Sequence, residues 1–152
     1  MEASTKRKAG WMAVAVVCVS GFEGLRTAAY LDPVGIPTAC FGETKNIRMG
    51  MRFSKPECEV MLVDSLIAHD DGMMRCTKVP LKDKTHAALL SFTYNVGVGA
   101  YCGSTLVRKL NAGDTVGACN ELVRWTRAKG VTLPGLTKRR AAERELCLKG
   151  AV

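Results

Sequence analysis

Residues 9–22 run without a charge (A-G-W-M-A-V-A-V-V-C-V-S-G-F), and after them the apolar rhythm changes several times. From Tyr30 to Phe53, Val, Ile, Thr, Tyr and Phe alternate with Gly35, Pro37, Gly42 and Gly50, a pattern of short antiparallel strands joined by tight turns. Ser54-Lys-Pro-Glu57 is a capping box with Pro in the first turn. It predicts a helix to about Arg75, with Val60, Met61, Val63, Leu66 and Ile67 as its apolar stripe. Pro80 breaks the chain. Asp83 or Thr85 caps the next helix, which runs to Val96 and stops at Gly97. Ala87, Ala88, Leu89, Leu90 and Phe92 make that helix apolar nearly all round, so it belongs at the centre of the core. Ser104 caps a short helix closed by Asn111-Ala-Gly113. Asp114 caps another to about Ala128, with Leu122 and Trp125 turned inward. Leu133-Pro-Gly135 reads as a loop, and the last helix runs from about Leu136 to Lys149. Several helices around one small β-region make an α+β chain. No repeat, low-complexity segment or long linker divides its 152 residues, a length that suits one domain, with room for two lobes.

The uncharged run has three readings. With Lys6, Arg7 and Lys8 before it, it has the dimensions of a cleaved signal peptide. Cleavage near Ser20 would leave Glu23 at a new terminus without the helix that should hold it. It also reads as the first helix of a folded domain, although Val14, Val16, Val17, Val19 and the alanines leave no polar face. The third reading is a weak membrane anchor. Its length falls short of the roughly 20 residues needed to span, and its Ala and Gly content makes insertion marginal. The basic flank keeps the N-terminus cytoplasmic. The division is therefore residues 1–22, a basic and apolar segment that anchors reversibly or forms the first helix, and residues 23–152, the working domain.

Charge narrows the partners. Lys and Arg number 22 against 14 Asp and Glu, a formal net charge of +8 with a sequence pI near 9.3. Such a field attracts polyanions: nucleic acid, anionic lipid or bacterial wall. Much of it sits late, in Arg124, Arg127, Lys129, Lys138, Arg139, Arg140, Arg144 and Lys149, which read as a solvated helix face that also suits polyanionic wall material. The seven cysteines show no C-x-x-C pair, and neither histidine has ligand spacing to a cysteine, so no metal site is implied. Setting Cys18 aside in the apolar run leaves six, an even number that fits disulfides in an oxidising compartment, with buried free thiols as the other reading. Six cysteines allow about fifteen pairings, and sequence does not choose among them. His69 reads as structural.

The chemistry concentrates between Phe22 and Thr44, in F-E-G-L-R-T-A-A-Y-L-D-P-V-G-I-P-T-A-C-F-G-E-T. A helix ending near Glu23, followed by a tight β-turn at Asp32-Pro33 and Gly35-Ile-Pro37, can bring Asp32 and Thr38 back towards the Glu23 carboxyl. Two carboxyls and a hydroxyl facing one another suit glycosidic cleavage. One carboxyl holds a proton for the leaving oxygen, and the other works on a water.

Glu-x8-Asp-x5-Thr, with Glu-Gly at its head and Tyr30 before the Asp, resembles the catalytic region of phage lysozymes of the T4 and lambdoid endolysin type. Ser91-Phe-Thr-Tyr-Asn-Val-Gly-Val-Gly99, Ser104 to Gly113 and Leu133 to Glu145 are similar to the C-terminal lobe of that family. The resemblance covers roughly residues 22–149. It implies a lysozyme-like fold, with a small β-lobe and a helical lobe flanking a cleft. It also implies a muramidase that cleaves the β-1,4 bond between N-acetylmuramic acid and N-acetylglucosamine during host lysis. On the same grounds Glu23 is the general acid, Asp32 the carboxylate for water and Thr38 the hydroxyl beside that water. The family's inverting chemistry calls for carboxyls about 6.5–9.5 Å apart. Tyr94 and Thr105 are implied sugar contacts. Glu43 stands where many relatives have His, so it either binds sugar or pairs with a basic residue. No cofactor, metal or nucleic acid is implied, and a monomer is expected. Some relatives resemble signal-anchor-release endolysins, which implies transient association with the host inner membrane and then the periplasm. Without an anchor the enzyme would wait in the host cytoplasm until the membrane is permeabilised. A non-catalytic wall-binding protein on a lysozyme scaffold and a basic, membrane-active lytic protein are the competing classes.

Overall fold

Seven α-helices and two small hairpins form the computed structural model, which describes residues 2–152, with side chains from Gly10 onward. The basic trio Lys6, Arg7 and Lys8 lies outside the described side chains. Helix α1 (Glu2–Glu23) carries the uncharged run into the domain. It has no polar face, yet it buries one stripe at helical spacing: Trp11, Ala15 and Val19, while Val17 is 73% exposed. Small residues let it pack closely. A Cβ added to Gly10 would stand 2.7 Å from Asp83 Oδ2. The Trp11 ring stacks on His86 at 4.0 Å between centroids and 9° between planes. His86 Nε2 in turn lies 2.5 Å from Asp70 Oδ1.

Strands β1 (Arg26–Leu31) and β2 (Pro37–Cys40) pair antiparallel, with Tyr30 opposite Thr38 and Leu31 opposite Pro37. Residues 51–53 flank β1, where Ala29 N–H donates to Met51 O and Phe53 N–H to Thr27 O. The β-region thus starts at Arg26, four residues before the apolar alternation becomes visible.

Helix α2 (Lys55–Cys76) begins at the expected capping box. Glu57 N–H donates to Ser54 Oγ at 3.2 Å, and Ser54 N–H to Glu57 Oε1 at 3.0 Å. Helix α3 (Asp83–Val96) is the central helix, buried along Thr85–Thr93 and packed chiefly against α7 (Pro134–Ala151) and α1. Its N-cap is Lys82, which makes no side-chain cap bond. Asp83 lies in the first turn, and Thr85 is drawn away to Cys147 O at 2.9 Å. A Cβ on Gly150 would meet Thr85 N at 2.5 Å, so a side chain there would push α7 off α3. A short helix, α4 (Val98–Cys102), follows directly. Then come α5 (Thr105–Asn111), capped by Ser104, and α6 (Thr115–Glu121), capped by Asp114.

Beyond α6 the chain departs from the sequence reading. The helix does not continue to Ala128. It tightens into one 3-10 turn over Leu122–Arg124, and Trp125 O accepts from Arg140 Nε at 2.9 Å. Strands β3 (Arg127–Ala128) and β4 (Val131–Thr132) then form a two-residue hairpin. Its central residues, Lys129 (φ 50°) and Gly130 (φ 78°), both sit in the left-handed region that such a turn requires. Helix α7 starts at Pro134, where the missing N–H costs nothing.

The core is aliphatic. Leu62, Leu66, Leu89, Leu90, Leu106, Leu110 and Leu122 are fully buried, each worth about 2 kcal/mol in surface removed from water. Three disulfides staple it: Cys40–Cys58 ties β2 to α2, Cys76–Cys102 ties the end of α2 to α4, and Cys119–Cys147 ties α6 to α7. Cys18 is free.

Candidate active site

Glu23 is the last residue of α1. Gly24, at φ 70°, ends the helix in the left-handed conformation that suits glycine, and its N–H donates to Ser20 O at 3.2 Å. The side chain stands on the wall of a cleft of about 760 Å³ together with Gly42, Glu43, Asp64, Ser65, His69, Tyr94 and Asn95. Both carboxyl oxygens are placed. Arg139 Nη1 donates to Oε1 at 2.6 Å, and Oε2 lies against Gly42, where a Cβ would be only 3.2 Å away.

Arg139 is held in turn. Its Nη2 donates to Ser91 O at 3.1 Å and its Nε to Glu143 Oε2 at 3.3 Å. Glu143 also accepts from Ser91 Oγ at 2.6 Å and from Arg140 Nη1. Arg140 donates through Nη2 to Asn95 Oδ1. Arg139, Arg140 and Glu143 are 5%, 1% and 1% exposed. The expectation that the late basic residues form a solvated helix face therefore fails at these two arginines. They are buried because each finds carboxylate and carbonyl partners that repay desolvation.

Asp32 sits in the turn between β1 and β2. Its Oδ1 accepts from Val34 N–H and Ile36 N–H, each at 2.9 Å. Both backbone donors use the same oxygen, so Oδ2 remains for another partner. Thr38 follows on β2, is 4% exposed and donates Oγ1–H to Ile36 O at 2.9 Å. Its hydroxyl lone pairs are left to accept. Asp32 and Thr38 belong to one hairpin, and neither contributes to the cleft wall around Glu23.

Glu43 lies on that wall. Its backbone pairs with Ala39, and its Oε1 accepts from Tyr94 Oη at 3.3 Å. Burial pushes its carboxyl above the usual range, opposed by hydrogen bonds from Tyr94 and Ser65. Tyr94 Oη also donates to Phe41 O at 2.7 Å. Burial, and then the charges of Glu43 and Glu23, push its phenol well up, so it acts only as a neutral donor. His69, read as structural, is on the cleft wall beside Tyr94 at 5.1 Å between ring centroids, with Nδ1 bonded to Ser65 O. Thr105 is exposed at the start of α5, accepts from Arg108 Nη2 at 2.8 Å and does not line the cleft. The sequence reading missed Arg139, Arg140 and Glu143 as site residues, while Asn95, in the corner the resemblance gave to the cleft, does line it. The i,i+3 and i,i+4 spacing of the arginines to Glu143 was the available signal, but that spacing equally describes a surface ion pair.

The phage lysozyme family model matches residues 20–143. A SAR-endolysin of bacteriophage PS119 is 42% identical over 148 residues, 93% of this chain and 89% of the relative. An endolysin from Escherichia coli O157:H7 phage FAHEc1 superposes with a TM-score of 0.82 at 33% identity, over 89% of this chain and 90% of that one. The active form of the P1 phage endolysin Lyz gives 0.80 at 25% identity, over 91% and 85%.

Proposed function

The chain belongs to the phage lysozyme family and hydrolyses peptidoglycan as an endolysin, and from that premise we propose how its residues divide the work. Glu23 is the general acid. Arg139 holds Oε1, so the proton sits on Oε2, and protonating the glycosidic oxygen lets the bond to the muramic acid carbon break. Asp32 takes a proton from the attacking water through Oδ2, its other oxygen being fixed by two backbone donors. Thr38 accepts a hydrogen bond from that water and so orients it. Attack opposite the leaving group inverts the anomeric carbon. The observation that carries this reading is Glu23 itself: a carboxyl at a helix end, gripped by one arginine and seated over a glycine in the wall of the cleft.

Purified full-length protein on isolated peptidoglycan should release new reducing ends at muramic acid. Glu23→Gln should fold normally and lose about 10²–10⁴-fold in rate, since an amide has no proton to give. A folded Glu23→Gln protein working near the wild-type rate would remove Glu23 from the mechanism.

The route to the wall is a second part of this proposal. Among the described residues no helix is long and apolar enough to cross a membrane. The uncharged run is a marginal anchor instead. In lipid it would hold Glu23 at the bilayer surface, away from Arg139 and Gly42, with the enzyme off. On leaving the bilayer it packs as α1 and completes the site. Similarity to SAR-endolysins over most of the chain supports this. Fractionation of expressing cells before and after an uncoupler tests it. Membrane-bound protein should become soluble in the periplasm, whereas protein in the cytoplasm at both times would eliminate the anchor.

A further inference from the structure

Asn95 is the last polar residue of α3, exposed on the cleft wall with Glu23. Its side chain carries one acceptor and one donor end, and its orientation is forced. The neighbour at its oxygen is Arg140, 1% exposed, whose guanidinium has only donors. Arg140 is itself fixed at both other faces, by Glu143 and by the Trp125 carbonyl. A rotated amide would set N–H against N–H beside a buried cation, so the rotated form is excluded. Among the described residues the Nδ2 end makes no hydrogen bond. Asn95, a residue of the cleft wall, therefore keeps an uncharged donor that cannot become an acceptor.

Sugar hydroxyls can satisfy either kind of group. The acetamido carbonyl on each peptidoglycan sugar only accepts. We propose that Asn95 is a specificity-determining residue whose Nδ2–H binds the acetamido carbonyl of a sugar in the cleft, with Arg140 as the positioning residue that fixes the direction of that bond. This rests on the hydrolase reading above and names the substrate group that the site selects.

The test compares native peptidoglycan with chemically de-N-acetylated peptidoglycan, in which an ammonium replaces the amide carbonyl. Asn95→Asp keeps the shape and the bond from Arg140 but has no donor. It should be at least as thermally stable as wild type. Its kcat/KM on native material should fall about tenfold, the scale of one neutral hydrogen bond lost at an exposed position. Wild type should prefer native over de-N-acetylated material, and that preference should collapse in Asn95→Asp by a similar factor. A structural defect would instead lower both rates equally. Should Asn95→Asp fail to fold, Asn95→Ala is read the same way. Retention of the wild-type preference in a folded variant, or equal losses on both substrates, would overturn the assignment while leaving hydrolysis intact. Absence of new reducing ends from wild type on native material would overturn the hydrolase reading, and this assignment with it.

Discussion

Arg139 Nη1 and Glu23 Oε1 lie 2.6 Å apart although 116 residues separate them. This pair ties the end of α1 to the second turn of α7. Arg139→Ala should strip Glu23 of its orienting partner and leave Glu143 short of one of its two arginines. Breaking a buried pair of this kind costs about 3–5 kcal/mol, and the rate should fall as well. Arg139→Lys should not rescue it, because one ammonium cannot serve Glu23, Ser91 and Glu143 in a fixed fork. Thermal unfolding and reducing-end assays on the same samples check both effects.

Gly42 is the neighbour on the other side of Glu23. At φ 84° an alanine is strained by about 1–2 kcal/mol, and its methyl would sit 3.2 Å from Oε2. Gly42→Ala should therefore lower kcat by about tenfold or more, since displacements near 1 Å cost up to about 100-fold. A normal kcat in the folded variant would show that Oε2 is not the working oxygen.

Glu43 gives a pH-dependent stability. Burial raises its folded pKa above the unfolded value. Its contribution to stability is therefore present at acid pH and declines as pH rises through the folded pKa. Glu43→Gln should match wild type in melting temperature near about pH 4 and exceed it near about pH 7. A melting-temperature gap that is the same at both values would contradict this.

Cys40 is bonded to Cys58 and has no thiol to act as a nucleophile. Iodoacetamide without reductant should leave wall lysis intact, Cys18 being the free thiol among the described residues. Reduction should lower stability by about 3 kcal/mol for a disulfide closing a short loop, read as the shift in denaturant midpoint between oxidised and reduced protein. The links close separations of 18, 26 and 28 residues.

Much of this architecture is legible in the chain. The capping box at Ser54, the apolar run around Leu89 and the caps at Ser104 and Asp114 mark their helices, because local hydrogen bonds and periodicity decide those starts. The Lys129-Gly130 hairpin is not legible. A lysine in the left-handed region is a tertiary outcome, and Arg140 claiming Trp125 O helps end the helix before it. The burial of Arg139 and Arg140 is hidden for a related reason. Charge predicts solvent, and only the fold brings Glu23, Ser91 and Asn95 within reach. Six cysteines announce staples but not their order, which depends on which helices meet. The 9–22 run of α1 was readable as uncharged and unreadable as one-sided, since its buried stripe differs from its exposed one in packing rather than in polarity.

Trp11 and Glu23 stand twelve positions apart on one unbroken helix, a rod of about 18 Å. The near end is keyed into His86, and the far end carries Glu23, the proposed proton donor. Such a rod is a ruler: its composition can drift while its length cannot. Under the proposed anchoring, exchanges among small apolar residues at exposed positions 13, 17 and 21 would retune how readily the segment leaves a bilayer and leave the carboxyl where it is. One residue inserted anywhere between the two would turn Glu23 by about 100° about the helix axis and point it away from Arg139. On the proposed anchor reading, lysis timing and bond cleavage are written in the same residues, but in separate variables, hydropathy for one and phase for the other.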